Sequence, residues 1–194
     1  MRTDITKILQ AVRVLHQGGI VIFPTDTAFG IGCRIDNPKA VDRLFHIRKR
    51  PRTQALPVLV DSIDMALPYF VEPPRIVRHL MKTYWPGGLT IVSQCDTNRI
   101  YSPIRGGTNT VGLRMPNHEQ TLAMIAGVGV PVVGPSANFH GEQTPFSLKD
   151  LDKHLISLVD FVLDGTCFVK TSSTVVDCTT DPYTIIRQGA VVLP

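Results

Sequence analysis

The sequence predicts an α/β (α+β) fold in which helices pack on one twisted, mixed β-sheet. Segments with helical spacing of apolar residues alternate with short apolar runs typical of strands, and strand-like runs dominate after residue 158. The chain has 194 residues, of which 43% are hydrophobic, and this is enough for one well-buried core. Because no internal repeat, linker or low-complexity segment divides the chain, we expect residues 1–194 to form a single domain.

Turn and cap residues mark the predicted elements of the first half of the chain. Apolar residues recur at helical spacing over 4–17, and Gly18 and Gly19 end this helix. Asn37 is a cap residue and Pro38 suits the first helical position, so a second helix begins there and runs to about residue 49. The other predicted elements are strands ending at 23, around 31, at 56–60 and at 89–93, and helices at 62–70 and 74–84.

For the second half of the chain, the sequence predicts fewer helices and more strands than for the first half. A strand at 110–114 follows a glycine-rich loop, and a helix at 118–126 leads into a strand at 130–133. Ser147 and Asp150 have the spacing of a capping box and predict the start of a further helix. The remaining predicted strands are 161–163, 174–176, 183–187 and 190–193.

Composition limits the classes of protein to which the chain can belong. Cys33, Cys95, Cys167 and Cys178 are widely spaced and include no C-x-x-C pair, which argues against a disulfide scaffold or a zinc ribbon and suits a reducing compartment. The N-terminus lacks the apolar stretch of a signal peptide, and no run approaches the roughly 18 apolar residues of a membrane span. We therefore expect a soluble, cytoplasmic protein that does not enter a membrane.

A basic segment, residues 34–52, stands out against a net charge of only +4. It contains seven Lys or Arg residues and two Asp residues. Such a patch attracts phosphate, whether of a nucleotide or of RNA, although cations are also favoured at a solvated helix end by the helix dipole. One hypothesis for the chain is therefore an RNA-binding or ribosome-associated module, whose binding would weaken steeply with salt.

Two polar clusters follow apolar runs in distant parts of the chain. Residues 25–27 (Thr-Asp-Thr) follow the run that ends at Pro24, and residues 134–138 (Gly-Pro-Ser-Ala-Asn) follow the run at 128–133. A buried strand that ends in hydroxyls, a carboxylate and glycines is a common way to build a pocket, and an ordinary polar turn is the alternative. We interpret Asp26 as a turn-stabilising residue, with a general base or a metal ligand as the alternative.

Missing motifs exclude several kinds of catalytic site. There is no Walker phosphate loop, and residues 134–138 lack the second glycine of a nucleophile elbow. The six histidines show no H-x-x-x-H spacing, so we expect no metal ligation by protein side chains. What remains is a set of phosphate-binding groups suited to adenylyl transfer, which needs positioning and charge neutralisation. These groups are Arg48, Arg50, Arg114, Arg187, Thr27, Thr110, Ser136, Thr144, Ser173 and Asn138.

Several motifs follow one another along nearly the whole chain: Pro24-Thr25-Asp26-Thr27, Arg48-Lys49-Arg50-Pro51, Trp85-Pro86-Gly87, residues 111–116, Ser136-Ala137-Asn138, residues 173–177 and residues 186–189. In this order they resemble the YrdC-like family of threonylcarbamoyl-AMP synthases. The resemblance implies a YrdC-like fold with a concave basic pocket, in the family's short single-domain form. The implied reaction forms threonylcarbamoyl-AMP and pyrophosphate from L-threonine, bicarbonate and ATP, with Mg²⁺ held through the triphosphate. It also implies a downstream threonylcarbamoyl transferase that completes N6-threonylcarbamoyladenosine in tRNA, and contact with tRNA or double-stranded RNA.

The resemblance assigns roles to residues of this sequence. The implied catalytic residues are Arg48, Arg50, Ser136 and Asn138. The implied ATP-binding residues are Arg50, Gln54, Thr110, Ser136, Thr144, Ser173 and Arg187. The implied L-threonine-binding residues are Thr27, Arg114 and Gly134, with the guanidinium holding the carboxylate.

The sequence also departs from the family's pattern at four of these positions or their neighbours. Arg48 stands where Lys is usual, Gln54 where many members carry Asn, Leu59 where longer members carry His, and Ser172 where an acidic residue often precedes Ser-Thr-Val. Leucine can neither donate nor accept a hydrogen bond, so the amino-acid contacts are those most affected. A divergent paralogue that binds a nucleotide without this reaction is therefore a further alternative.

Overall fold

A nine-stranded mixed sheet forms the centre of the fold in a computed structural model that describes residues 5–194. The strands are β1 (Val21–Phe23), β2 (Gly30–Arg34), β3 (Val58–Leu59), β4 (Leu89–Gln94), β5 (Thr110–Arg114), β6 (Val132–Val133), β7 (Phe161–Val162), β8 (Thr174–Asp177) and β9 (Thr184–Arg187). They lie in the order β7-β1-β2-β6-β3-β5-β4-β8-β9. The pairs β1–β7, β3–β5 and β4–β8 are parallel and the others are antiparallel, which confirms the predicted mixed sheet.

Cap residues explain where the helices begin and end. The helices are α1 (Ile5–His16), α2 (Pro38–Ile47), α3 (Ile63–Ala66), α4 (Arg75–Tyr84), α5 (Glu119–Val128) and α6 (Lys153–Ser157), with 3-10 turns at Leu67–Tyr69, Ser102–Arg105 and Leu148–Asp150. The Asn37 side chain accepts a hydrogen bond from the Ala40 N–H, as its predicted cap role requires. The capping box of Ser147 and Asp150 begins only a 3-10 turn, and α6 starts after it with Asp152 as its own cap.

The sheet separates two apolar clusters. In β1, Val21 and Phe23 join a cluster with α1 and α5, whereas Ile22 joins the larger cluster that contains α2 and α4. This alternation follows from the two-residue period of a strand, whose side chains point to opposite faces in turn. The centre of the sheet is therefore covered by helices on both faces, and this rigid core holds the loops that carry polar side chains.

The predicted strand at 190–193 is wrong. The Ala190 N–H donates to the Ser172 carbonyl, and the Val191 N–H donates to the hydroxyl of Thr174, so this segment makes no ladder with a neighbouring strand. The Thr174 hydroxyl in turn donates to the Val191 carbonyl at 2.6 Å. The apolar residues that suggested a strand are not uniformly buried, since Val192 is 81% exposed.

Candidate functional site

One cavity gathers polar side chains from both halves of the chain. Its lining comes from the turn after β1, the end of α2, the ends of β3 and β5, the start of β4, the segment after β6, the residues just before β8 and the end of β9. The lining residues with polar or charged side chains are Thr25, Thr27, Arg48, Arg50, Thr90, Arg114, Ser136, Thr144, Ser172, Ser173 and Arg187. With Gly134, nine of the twelve predicted site residues therefore line the cavity, all but Gln54, Thr110 and Asn138.

Arg48 is the most deeply buried of the arginines that line this cavity. It caps the C-terminal end of α2 and follows the buried Leu44 by four positions, which places it on the helix's buried face. It is 2% exposed, and its Nε donates to the Asn138 carbonyl at 3.0 Å. Burial, together with the nearby Arg50 charge, lowers the pKa of Arg48 to about 10.

Arg50 and Arg187 lie at the cavity although they come from distant parts of the sequence. Arg50 donates from Nε and Nη2 to the carbonyls of Gln54 and Ala55, at 3.2 and 2.9 Å. Arg187 donates from Nε and Nη2 to the carbonyl of Ser173, at 3.0 and 2.8 Å, and the Ser173 hydroxyl accepts a further bond at 3.0 Å. Burial lowers the pKa of both arginines.

These three arginines differ from the ion-paired arginines of the described chain in the charge of their partners. Ion pairs to aspartate are made by Arg34, Arg43, Arg52, Arg99 and Arg114. Arg48, Arg50 and Arg187 bond to carbonyls and other uncharged groups among residues 5–194. Arg48 is a buried cation without a counter-ion, which is unfavourable, and the half-buried Arg50 and the more exposed Arg187 add two further cations, so the cavity favours an anionic ligand.

Arg114 forms a second part of the site, in which an aspartate neutralises its charge. Its Nη2 donates to the Asp26 carboxylate at 2.5 Å, its Nη1 to the Thr27 hydroxyl at 2.8 Å, and its Nε to the Gly87 carbonyl at 2.9 Å. Burial lowers the pKa of Arg114, and the Asp26 carboxylate opposes that effect. Asp26 is thus the counter-ion of Arg114, a role that neither sequence interpretation of Asp26 contained.

The apolar part of the lining lies beside Gly134. A Cβ atom at Gly134 would lie 2.6 Å from Cδ1 of Leu59, so a side chain at this position would collide with Leu59. Pro57, Ala28 and Phe29 also line the cavity. The cavity therefore combines cationic groups with an apolar wall, as expected for an amphipathic ligand.

The three predicted site residues that do not line the cavity have identifiable positions. Gln54 is exposed, and its contribution to the site is the backbone carbonyl that holds Arg50. Thr110 begins β5, with its hydroxyl 3.0 Å from that of Thr108. Asn138 is buried behind Arg48. Thr90, whose hydroxyl lies 2.9 Å from that of Ser173, was missed because nothing in the sequence around it marks a site.

The described residues offer no group of metal ligands. Within residues 5–194, no three His, Cys, Asp or Glu side chains are placed to hold a metal ion together. The carboxylate of Asp26, which stands between the lining residues Thr25 and Thr27 in the sequence, is bonded to Arg114. No helix in the same range is long and apolar enough to cross a membrane.

Comparisons with known proteins agree on one family. The family model described as "Telomere recombination", which groups Sua5, YciO and YrdC proteins, matches residues 13–189. The threonylcarbamoyl-AMP synthase of Bacillus subtilis is 31% identical over 195 residues, which cover 98% of this chain and 56% of that protein. The uncharacterized protein YciO of Escherichia coli is 27% identical over 187 residues, which cover 94% of this chain and 88% of that protein.

A solved structure matches the fold closely. The crystal structure of Pyrococcus abyssi Sua5 complexed with L-threonine superposes with a TM-score of 0.91 and 31% identity. The match covers 97% of this chain and 56% of the Pyrococcus chain. This chain therefore spans little more than half the length of the Bacillus and Pyrococcus proteins.

Proposed function

The chain belongs to the Sua5/YciO/YrdC family, and from this premise we propose that it is an L-threonylcarbamoyladenylate synthase. The reaction converts L-threonine, bicarbonate and ATP into threonylcarbamoyl-AMP and pyrophosphate. The observation that carries the proposal is the set of three arginines, Arg48, Arg50 and Arg187, that face one cavity with uncharged partners. A nucleoside triphosphate supplies the negative charge that these three arginines lack in their protein partners.

The chemistry needs no protein nucleophile. The amine of threonine and bicarbonate form a carbamate with release of water. A carbamate oxygen then attacks the α-phosphorus of ATP, and the bond from that phosphorus to the pyrophosphate oxygen breaks. Negative charge grows on the α-phosphate and on the departing pyrophosphate, so fixed guanidinium groups stabilise the transition state more than the ground state.

The amino-acid side of the site is proposed to lie at Arg114 and Thr27. Arg114 keeps two N–H groups beyond those bonded to Gly87, Thr27 and Asp26, since a guanidinium has five. These N–H groups can hold the threonine carboxylate, and Leu59 offers an apolar surface to its methyl group. Gly134 leaves room at this wall because it has no side chain.

We propose the cofactors and partners from the same chemistry. Mg²⁺ enters as the counter-ion of ATP and is held chiefly by phosphate oxygens, because the lining residues are hydroxyls and guanidiniums. The buried, free thiols of all four cysteines suit the reducing cytoplasm. The product would pass to a threonylcarbamoyl transferase that modifies tRNA, and tRNA itself could contact the basic segment.

The deciding experiment measures pyrophosphate release from the purified protein with ATP, Mg²⁺ and bicarbonate, with and without L-threonine. Release that requires threonine and bicarbonate supports the synthase. ATP binding without threonine-dependent release supports a divergent paralogue. Salt-sensitive RNA binding with neither ATP binding nor release supports an RNA-binding module. That last outcome has weaker support, because Arg34, Arg43 and Arg52 of the basic segment are ion-paired.

A matched pair of variants tests the role of the basic segment. We expect Arg50→Ala to lower turnover by about 100-fold or more while the protein stays folded, since a charge-stabilising group at the phosphates is lost. Arg52→Ala is the control, because Arg52 lies two positions away, pairs with Asp42 and does not line the cavity that contains Arg48, Arg50 and Arg187. Equal activity of the two variants would contradict the proposed role of Arg50.

A further inference from the structure

The Asn138 side chain has no hydrogen-bonding capacity left for a ligand. Its Nδ2 donates both hydrogens, to the carbonyls of Phe139 at 3.0 Å and Glu142 at 2.8 Å. Its Oδ1 accepts from the Ser136 hydroxyl at 2.6 Å and from Arg48 Nη2 at 3.3 Å. A carboxamide offers two donors and two acceptor positions, and all four are in use.

Most of the polar contacts of Arg48, by contrast, come from this one neighbour. Asn138 binds it twice, with the backbone carbonyl on Nε at 3.0 Å and with Oδ1 on Nη2. The remaining amino group, Nη1, is buried without a hydrogen-bond partner among the described residues. Arg48 lines the cavity, and Nη1 is the nitrogen of its guanidinium that these bonds leave with both N–H groups for a ligand.

Backbone bonds fix the segment that carries Asn138. The His140 N–H donates to the Arg48 carbonyl at 2.8 Å, which joins the segment to the end of α2. The Ala137 N–H donates to the Phe29 carbonyl at 2.8 Å, which joins it to the chain just before β2. Asn138 therefore lies on a rigid support, as a residue that orients another side chain should.

We propose that Asn138 is a positioning residue, which fixes the Arg48 guanidinium so that Nη1 meets a phosphate oxygen of the bound nucleotide. The inference rests on the proposed function for the identity of that nucleotide. It differs from a role in contacting ATP, because it makes the effect of Asn138 on ATP binding depend mainly on Arg48, with a smaller contribution through the Ser136 hydroxyl that Asn138 also binds. It also explains the arginine at position 48, since only a planar fork can bond to both oxygens of Asn138 and still present a third nitrogen.

A double-mutant cycle with ATP dissociation constants tests this dependence. We expect Asn138→Ala to weaken ATP binding by about 10-fold, because the free guanidinium loses its orientation while keeping its charge. In an Arg48→Met background, which keeps an apolar stem and removes the fork, the same substitution should change ATP binding less than about twofold. Asn98→Ala, on an exposed turn away from the cavity, is the control for substitution of an asparagine.

The outcomes separate the inference from the proposed function. A 10-fold loss in both backgrounds would mean that Asn138 acts on the nucleotide independently of Arg48, and would overturn the inference alone. Failure of the wild-type protein to bind ATP would overturn the proposed function and this inference with it. If Asn138→Ala does not fold, Arg48→Lys decides, because it keeps the charge and leaves Asn138 intact. We expect that variant to bind ATP about 10-fold more weakly than the wild type, and wild-type affinity would refute a need for the fork.

Discussion

The buried ion pair of Asp26 and Arg114 allows a quantitative prediction. The two side chains are 2% and 7% exposed, and Nη2 lies 2.5 Å from Oδ1. Asp26→Asn preserves the shape of the side chain and removes its charge. Arg114 would then remain as a buried cation whose other bonds go to the uncharged Thr27 and Gly87.

The expected loss of stability follows from Coulomb attraction. With the charge centres about 4 Å apart and an effective dielectric constant of about 20, the attraction is about 4 kcal/mol. This agrees with the loss of about 3–5 kcal/mol found when one partner of a buried pair is removed. We therefore expect Asp26→Asn to lower the free energy of unfolding by about 3–5 kcal/mol, a large share of the total for a domain.

Urea unfolding followed by circular dichroism measures this free energy. Asp36→Asn is the matched control, because Asp36 pairs with Arg34 at 2.7 Å but its side chain is 47% exposed. An exposed pair contributes less than about 1 kcal/mol, so the control should unfold almost like the wild type. Equal destabilisation by the two substitutions would refute the argument, since burial would then have no effect on the strength of the pair.

A double variant separates charge from packing at the same place. Replacing both partners, as Asp26→Leu with Arg114→Met, leaves no buried charge without a partner. Such replacements are often neutral or stabilising, so the double variant should be more stable than Asp26→Asn. It should not bind L-threonine, because the proposed carboxylate-binding guanidinium is gone. Stability equal to that of Asp26→Asn would show that the cavity cannot accommodate the apolar pair.

Three further predictions concern single positions. Arg48→Met should raise the free energy of unfolding of the ligand-free protein by about 1–3 kcal/mol. The reason is that burial lowers the pKa of Arg48 to about 10 and so disfavours its charged form. An unchanged or lower free energy of unfolding in urea would contradict this prediction. Burial also lowers the pKa of His118, so the unfolded chain takes up a proton before the folded chain does as pH falls below about 6.5, and the free energy of unfolding decreases. Between pH 7 and 5, His118→Gln should reduce the slope of this free energy against pH by up to about 1 kcal/mol per pH unit. Identical slopes for the wild type and the variant would refute this prediction. Gly32→Ala should lose more than about 3 kcal/mol, because its Cβ would lie 1.8 Å from the Val133 carbonyl oxygen, whereas Gly107→Ala, with open space around it, should lose only about 1 kcal/mol to its backbone conformation.

Local signals in the sequence predict the elements of the fold well where cap residues accompany periodicity. Helix α2 begins at Pro38 after the Asn37 cap, as predicted, and ends at Ile47, close to the expected residue 49. The prediction fails at 190–193, where the pattern suggests a strand. There the hydroxyl of Thr174 takes the place of a strand partner, and no local pattern reports a bond to a side chain 17 residues away.

The sequence predicts which residue types surround the cavity better than it predicts their partners. Arg50 and Arg52 lie in the same basic segment, yet Arg50 lines the proposed substrate cavity and Arg52 pairs with Asp42 outside it. From the sequence, Asp26 is interpreted as a turn residue, because a local pattern shows only the neighbours with which its side chain can bond. Its actual partner, Arg114, is 88 residues away, and only the folded sheet brings the two together.

The charges of the cavity match those of the two proposed substrates. Arg114 and Asp26 together carry no net charge, and zwitterionic threonine carries none either. Arg48, Arg50 and Arg187 have uncharged partners, and the triphosphate of ATP is strongly negative. An unpaired buried cation lowers the stability of the free protein, so the nucleotide should stabilise the fold by supplying its counter-charge. Threonine, which meets an already neutral pair, should stabilise it much less. The same arrangement sets ATP binding against the stability of the ligand-free protein at Arg48, because its buried charge lowers that stability and is one of the charges proposed to hold the triphosphate.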